Sequence, residues 1–263
     1  MKFKILNLTN GFILLSILAA CWITAGKIEP YLYYHFQQTG FLTTYEFFHS
    51  YAVIAGGIAD YVAEFIAQFF YFNLWGSLLI VAVAALQGFI ALDLITRLAG
   101  KTKIAFMLFA SVLLLGVMVL LDYRYPYYSS IRLLFAYLFT YGFYFLFTKY
   151  QRVSLYGWPA LAILLFYLGS GPALFVFTAC TLLIIIAKGK SSIRVIVVPA
   201  YIAFAAILPY LGYKFLFQTT LPNLYRLTVV KPPQMLAYST FYQLTVYYAL
   251  LPLMLMVFLF LIR

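Results

Sequence analysis

Residues able to do acid–base or metal chemistry are few in this chain: six acidic side chains and two histidines among 263 residues. Asp60, Glu64 and Gln68 follow one another at four-residue steps in the run Gly56-Gly57-Ile58-Ala59-Asp60-Tyr61-Val62-Ala63-Glu64-Phe65-Ile66-Ala67-Gln68-Phe69-Phe70. That spacing puts them on one face of a helix, while Tyr61, Phe65, Phe69 and Phe72 line another. Carboxylates one turn apart at a membrane surface could hold a divalent cation through oxygen ligands, or serve as acid and base on a substrate headgroup. Glu46 and His49, three residues apart upstream, could join them. The candidate catalytic residues are therefore Asp60, Glu64 and Glu46. The plainer reading takes precedence: any amphipathic helix must have a wet face, and these three polar residues suit it.

A second group occupies Asp122-Tyr123-Arg124-Tyr125-Pro126-Tyr127-Tyr128, with Arg132 soon after. A guanidinium meets phosphate in a fork, which makes Arg124 and Arg132, with His49, the candidate substrate-binding residues for a phosphorylated lipid. The tyrosines could stack on sugar, but they fit equally the aromatic belt of a membrane protein, which is the commoner use. Asp93 and Arg97 form an i,i+4 pair in the favourable order, suited to anchoring a helix at the membrane boundary. Gln87 lies deeper, placed to hydrogen-bond across helices. No Asp, Glu or Arg falls at the centre of a predicted span, which argues against a proton-coupled pump or channel. His35 and His49 are too few and too far apart for zinc, so no metal site is expected. There is no phosphate-binding glycine loop, no Gly-x-Ser-x-Gly elbow and no haem attachment sequence, and the cofactor stays unknown.

These residues must be positioned by helices in lipid. The chain is 66% hydrophobic and 9% charged, where a soluble domain is about half apolar and about a quarter charged. Apolar runs of membrane-crossing length lie at about 5–25, 73–95, 104–121, 131–148, 155–168, 173–187, 193–217 and 241–262. The expected fold is all-α: a polytopic bundle of about eight transmembrane helices, with an interfacial amphipathic helix in the first outer loop. The fifth and sixth runs are short and joined by Gly169-Ser170-Gly171-Pro172, a turn by its glycine and proline chemistry. They form either a full hairpin or a pair that only partly penetrates.

Charge orients the bundle. Lys2, Lys4, Arg97, Lys101, Lys103, Lys149, Arg152, Lys188, Lys190, Arg194 and Arg263 collect on one side with one acid, Asp93. The other side has six basic residues and the remaining five acids. The first side is therefore cytoplasmic, both termini face it, and the expected location is the inner membrane. The net charge of +11 follows from this rule and does not call for nucleic acid. Longer outer loops run from about 26 to 72 and from 218 to 240, lengths that are usually functional or separately structured. Lys2 and Lys4 followed by Leu18-Ala19-Ala20-Cys21 resemble a lipoprotein leader, but the apolar run continues past the cysteine, favouring a retained first helix. Cys21 and Cys180 read as small buried residues. One transmembrane domain over 1–263 is expected, a layout that also suits the membrane part of a longer protein.

The run from Gly56 to Phe70, with Gly169-Ser170-Gly171-Pro172-Ala173 much later, resembles a family of uncharacterised multi-pass membrane proteins from Bacteroidetes, a domain of unknown function. That resemblance brings no activity with it. The layout of first helix, long carboxylate-bearing outer loop and further bundle also looks like that of membrane glycosyltransferases using polyprenyl-phosphate sugars. It implies outer-loop acids in catalysis, here Glu46, Asp60 or Glu64, although only Glu29 lies near the outer end of the first helix, where those enzymes carry an acidic pair. Three functions stay open: an enzyme acting on a lipid-linked substrate at the outer leaflet, an accessory or scaffold membrane protein, and a transporter or flippase. The expected partners are the lipid bilayer and, for the enzyme, the lipid-linked substrate.

Overall fold

The structure is a computed structural model that describes residues 2–37, 40–99, 102–118, 126–189 and 191–217, together with Leu224, Pro252, Leu253 and Met256. The described residues form helices and no strand. In order these are α1 (Lys2–Ile23), continued by a π-turn at Thr24–Ile28, α2 (Pro30–Gln37), α3 (Tyr45–Ala52), α4 (Gly57–Ala67), a 3-10 turn at Gln68–Tyr71, α5 (Asn73–Ala99), α6 (Thr102–Met118), α7 (Tyr128–Lys149), α8 (Gln151–Lys188) and α9 (Ser191–Phe215).

Five helices are long and apolar enough to cross a membrane: Gly11–Ile28, Asn73–Leu98, Tyr128–Lys149, Gln151–Lys188 and Arg194–Phe215. Eight were expected, and the difference has three sources. The third expected run is met by α6, whose described apolar part, Phe109–Met118, is short. The fifth and sixth runs are joined in α8. The eighth, 241–262, lies outside the described residues apart from three positions, as does the second outer loop apart from Leu224.

α8 is bent back on itself. A straight helix of 38 residues would be roughly 57 Å long, about twice the thickness of a bilayer core. Instead, the Trp158 ring stacks 5.8 Å from Phe177, and its Nε1 donates to Thr181 Oγ1 at 3.0 Å. Residues so far apart in sequence meet only if the two arms are antiparallel. The reversal is at Ser170, with φ 65° and ψ −174°, a region occupied almost only by glycine. Pro172 then sits in the first turn of the second arm, where a missing N–H leaves nothing unsatisfied. Each arm is roughly 28 Å long.

The arms pack against α7 and α9. Phe177 meets Phe139 and Phe143 edge-on, both at 6.3 Å, and Trp158 is sandwiched between Phe177 and Tyr201, the latter at 3.9 Å. Gln87 Nε2 donates 2.8 Å across to the carbonyl of Ser130, tying α5 to α7. Burial falls outward: 67% of the α8 span is buried, against 17% of α1 and 28% of α9. Leu14, Leu15, Leu18 and Trp22 of α1, and Val195, Ile196, Ile202 and Ile207 of α9, are exposed. So much contiguous apolar surface is untenable in water and natural against lipid tails.

Spin labels at Tyr156→Cys and Ile186→Cys, one in each arm near its far end, are predicted to lie within about 20 Å of each other in detergent, the reach of two packed helices plus label arms. A separation near 45 Å, the straight-helix value, would remove the hairpin.

Candidate functional site

α4 begins where the chain is pinned to the α8 reversal. Gly56 has φ 78°, and its N–H donates to the Tyr167 carbonyl at 2.9 Å. A Cβ at this position would lie 2.6 Å from the Ser170 Cβ, so only glycine fits both the conformation and the space. The helix that follows packs its small face, Ala59, Ala63 and Ala67, inward against α7 and α8. Small side chains let the helix axes approach, which brings the neighbouring Asp60 within reach of α7.

Asp60 therefore does not face water. Arg132, in the second turn of α7, donates from Nε to Asp60 Oδ1 at 3.0 Å and from a terminal nitrogen to Oδ2 at 2.8 Å. Its other terminal nitrogen lies 3.4 Å from Ser170 Oγ, and its guanidinium sits 4.5 Å above the Tyr128 ring. The side chains are 7% and 20% exposed. This is a paired fork with a guanidinium held on both faces of the contact, the arrangement in which arginine tolerates burial. The expectation that Asp60, Glu64 and Gln68 form a wet face is corrected here. Phe65 and Phe69 are the exposed side chains of this segment, at 49% and 41%, because the Asp60–Arg132 pair turns the polar edge inward.

Glu64 lies one turn beyond, partly buried, with Oε2 buried and without a hydrogen-bond partner among the described residues. Burial, reinforced by the charge of Asp60, pushes its carboxyl above the ordinary value. Burial likewise raises Asp60, with the Arg132 guanidinium pulling the other way. Tyr51 of α3 is half-buried beside them, and burial together with Glu64 and Asp60 pushes its hydroxyl up to about 12. Its ring leads from the carboxylates into an aromatic cluster, 5.9 Å from Tyr61 and 5.0 Å from Phe47. Phe47 and Tyr61 in turn meet Phe41, at 5.6 and 4.9 Å.

Glu46 and His49 stand apart. Both are exposed, in the first and last turns of α3 respectively, after an N-cap in which the Thr44 hydroxyl accepts from the Phe47 N–H at 3.3 Å. An acid at a helix start complements the helix dipole, and the His49 ring lies 5.7 Å from that of Tyr45. Arg124 lies outside the described residues. Arg132 is committed to Asp60 and is not presented to a phosphate. A divalent cation would have to compete with that guanidinium for Asp60, and among the described residues no group of three or more His, Cys, Asp or Glu is placed to hold a metal. Tyr51 had no signal in the sequence; Tyr128 was legible only as one of a run of tyrosines and Ser170 only as part of a turn, and all three enter the site through tertiary contacts.

Fold and site together define an all-helical protein with several helices fit for a membrane and a buried carboxylate–arginine centre at one end. The chain belongs to a family of unknown function (DUF6057), matched over residues 4–263. No curated protein and no solved structure matches it.

Removing one partner leaves the other charge buried and unpaired, so Arg132→Ala is predicted to cost about 3–5 kcal/mol. Asp60→Asn combined with Arg132→Met should recover much of that loss, measured by thermal unfolding of the purified protein. Equal stability of Arg132→Ala and wild type would rule out the structural role of the pair.

Glu64 has no such partner. Its folded-state pKa lies above the unfolded one, so the folded protein binds the extra proton and stability falls as pH rises through the folded value. Glu64→Gln should therefore raise the melting temperature at pH 8 and leave it unchanged near pH 3; a drop at pH 8 contradicts the burial seen here.

Proposed function

We propose that the protein is a multi-pass inner-membrane protein, with both termini cytoplasmic, that acts on a lipid-linked substrate at the outer leaflet, using Glu64 as general acid–base. The orientation is supported by charge in three dimensions. Lys2, Lys4, Arg97, Lys149, Arg152, Lys188 and Arg194 lie at one end of the bundle with Asp93 alone among the described acids. Lys27, Arg132 and Lys214 lie at the other with Glu29, Glu46, Asp60 and Glu64. The first end is the cytoplasmic one by the positive-inside rule.

The observation that carries the catalytic reading is the buried, unpartnered oxygen of Glu64. A carboxyl with a raised pKa holds its proton to higher pH than a free one, and can donate it to a leaving oxygen and take one back. In this reading Asp60 and Arg132 are positioning residues: their pair orients α4 and keeps a negative charge one turn from Glu64. The aromatic cluster around Tyr51 and Tyr61 supplies ring faces for an apolar or sugar-bearing headgroup. Glycosyl transfer is one reaction that such a centre could serve, with Glu64 protonating or deprotonating a sugar hydroxyl. A transporter is disfavoured by the interior, where the buried hydroxyls of Thr140, Thr178 and Thr181 donate to backbone carbonyls of their own helices.

The test compares lipid extracts, by mass spectrometry, from a deletion strain carrying wild-type protein, Glu64→Gln or no copy. The expected outcome is a lipid-linked species changed by the deletion, restored by wild type and not by Glu64→Gln, although the variant accumulates normally. Full restoration by Glu64→Gln would leave the accessory or scaffold reading as the better one.

A further inference from the structure

The end of the bundle away from Asp60 and Arg132 holds a second organised set of charges that the catalytic reading does not use. It surrounds the last turns of α7. From α5, Arg97 donates through Nε to Asp93 Oδ2 at 2.6 Å, and Tyr141 of α7 donates its hydroxyl to the same oxygen at 2.5 Å. The Arg97 guanidinium lies 5.2 Å over the Phe145 ring and within electrostatic reach of Tyr144. From the second arm of α8, Lys188 Nζ comes within 3.3 Å of the Tyr144 hydroxyl and 5.2 Å of its ring centre. Two cations from different helices thus flank one buried tyrosine.

These cations are held in place instead of trailing in solvent. The Phe145 ring face and the Asp93 carboxylate fix Arg97, which engages Asp93 through Nε and remains about half exposed. Lys188 has no carboxylate partner among the described residues. Asp93 is the one described acid at this end, and it is already shared between Arg97 and Tyr141. An oxyanion is the natural complement of such a pair. Towards the middle of the bundle the surface changes character. Leu138 and Phe145, seven residues apart and so on one face of α7, are exposed at 41% and 42%. On α5, Leu86 and Phe89 are exposed at 44% and 41%. A ligand here meets cations at its head and apolar side chains along its body, a combination that suits a phospholipid and neither free phosphate nor an acidic protein.

We propose that the groove over the end of α7, between Arg97 and Lys188 with Tyr144 and Phe145 as its floor, binds the headgroup of an anionic phospholipid, whose acyl chains run along Leu138 and Phe89. The interaction differs from the general attraction of a basic surface to an anionic leaflet, because it depends on two particular cations and not on their number.

Native mass spectrometry of the full chain released from detergent tests this, with phosphatidylglycerol and phosphatidylcholine offered as probes. The expected result is retention of phosphatidylglycerol over phosphatidylcholine by wild type, and a loss on the order of tenfold in R97Q/K188Q. The control K149Q/R152Q removes the same charge from the same end and should bind like wild type. Equal losses in the two double variants would mean a diffuse basic surface and overturn the proposal, as would equal retention of the two lipids. Competition by free glycerol phosphate at concentrations comparable to the lipid would show that the apolar strip contributes nothing and overturn the lipid assignment. If R97Q/K188Q does not fold, K188Q alone, at an exposed position, gives the same readout: binding unchanged from wild type sinks the site.

Discussion

A guanidinium buried at the end of a helix bundle demands a partner, and that demand organises one end of this molecule. Arg132 is 5% exposed, in surroundings where an unpaired charge is worth several kcal/mol of destabilisation. Its partner is carried by a short helix that the chain reaches only after a long excursion from α1. For Asp60 to arrive, α4 must lie close against α7 and α8, and its inward face is accordingly alanine. For α4 to start there, the chain must turn at Gly56 with a positive φ and bond to Tyr167, directly against the reversal of α8. Ser170, in a conformation rare for serine, presents its hydroxyl near the same guanidinium. One ion pair thus locates α4, the hairpin turn and the first turns of α7 relative to one another.

The same pair sets the electrostatics of its neighbour. Asp60 keeps a negative charge beside Glu64 while Arg132 is held away by its two-point contact with Asp60, so Glu64 feels the repulsion and the burial without the compensating cation. Two carboxylates one turn apart on one helix therefore have different surroundings: burial raises both, but a guanidinium opposes the shift at Asp60 and none does at Glu64.

At the opposite end the physics is looser. Charges there are mostly exposed, and pairing is not obligatory: Asp93 and Arg97 are 39% and 46% exposed. Rings restrain three of the cations there, with Arg97 over Phe145, Lys149 5.2 Å over Tyr150 and Lys188 over Tyr144. The molecule thus has one end with a buried ion pair and one whose charges are mostly exposed. Between them lies an exterior of Leu, Ile, Val and Trp suited to lipid.

Composition and apolar run length by themselves determined that the chain is helical and suited to a membrane, because a 20-residue apolar run has few alternatives in any solvent. Local spacing also determined the Asp93–Arg97 pair, whose partners are set by the helix repeat, and the reversal at Gly169 to Pro172, whose residue types do not continue a helix. The hairpin itself needed Trp158, Phe177 and Thr181 to meet, which no local pattern records. Asp60 is the sharper case. Its helical spacing with Glu64 and Gln68 was legible, but whether that face met water, lipid or protein depended on a cation 72 positions away in sequence. Periodicity says which residues share a face and is silent about what the face touches. Only the packing of α4 on α7 and α8 turned a plausible wet face into a buried ion pair, with Glu64 left beside it.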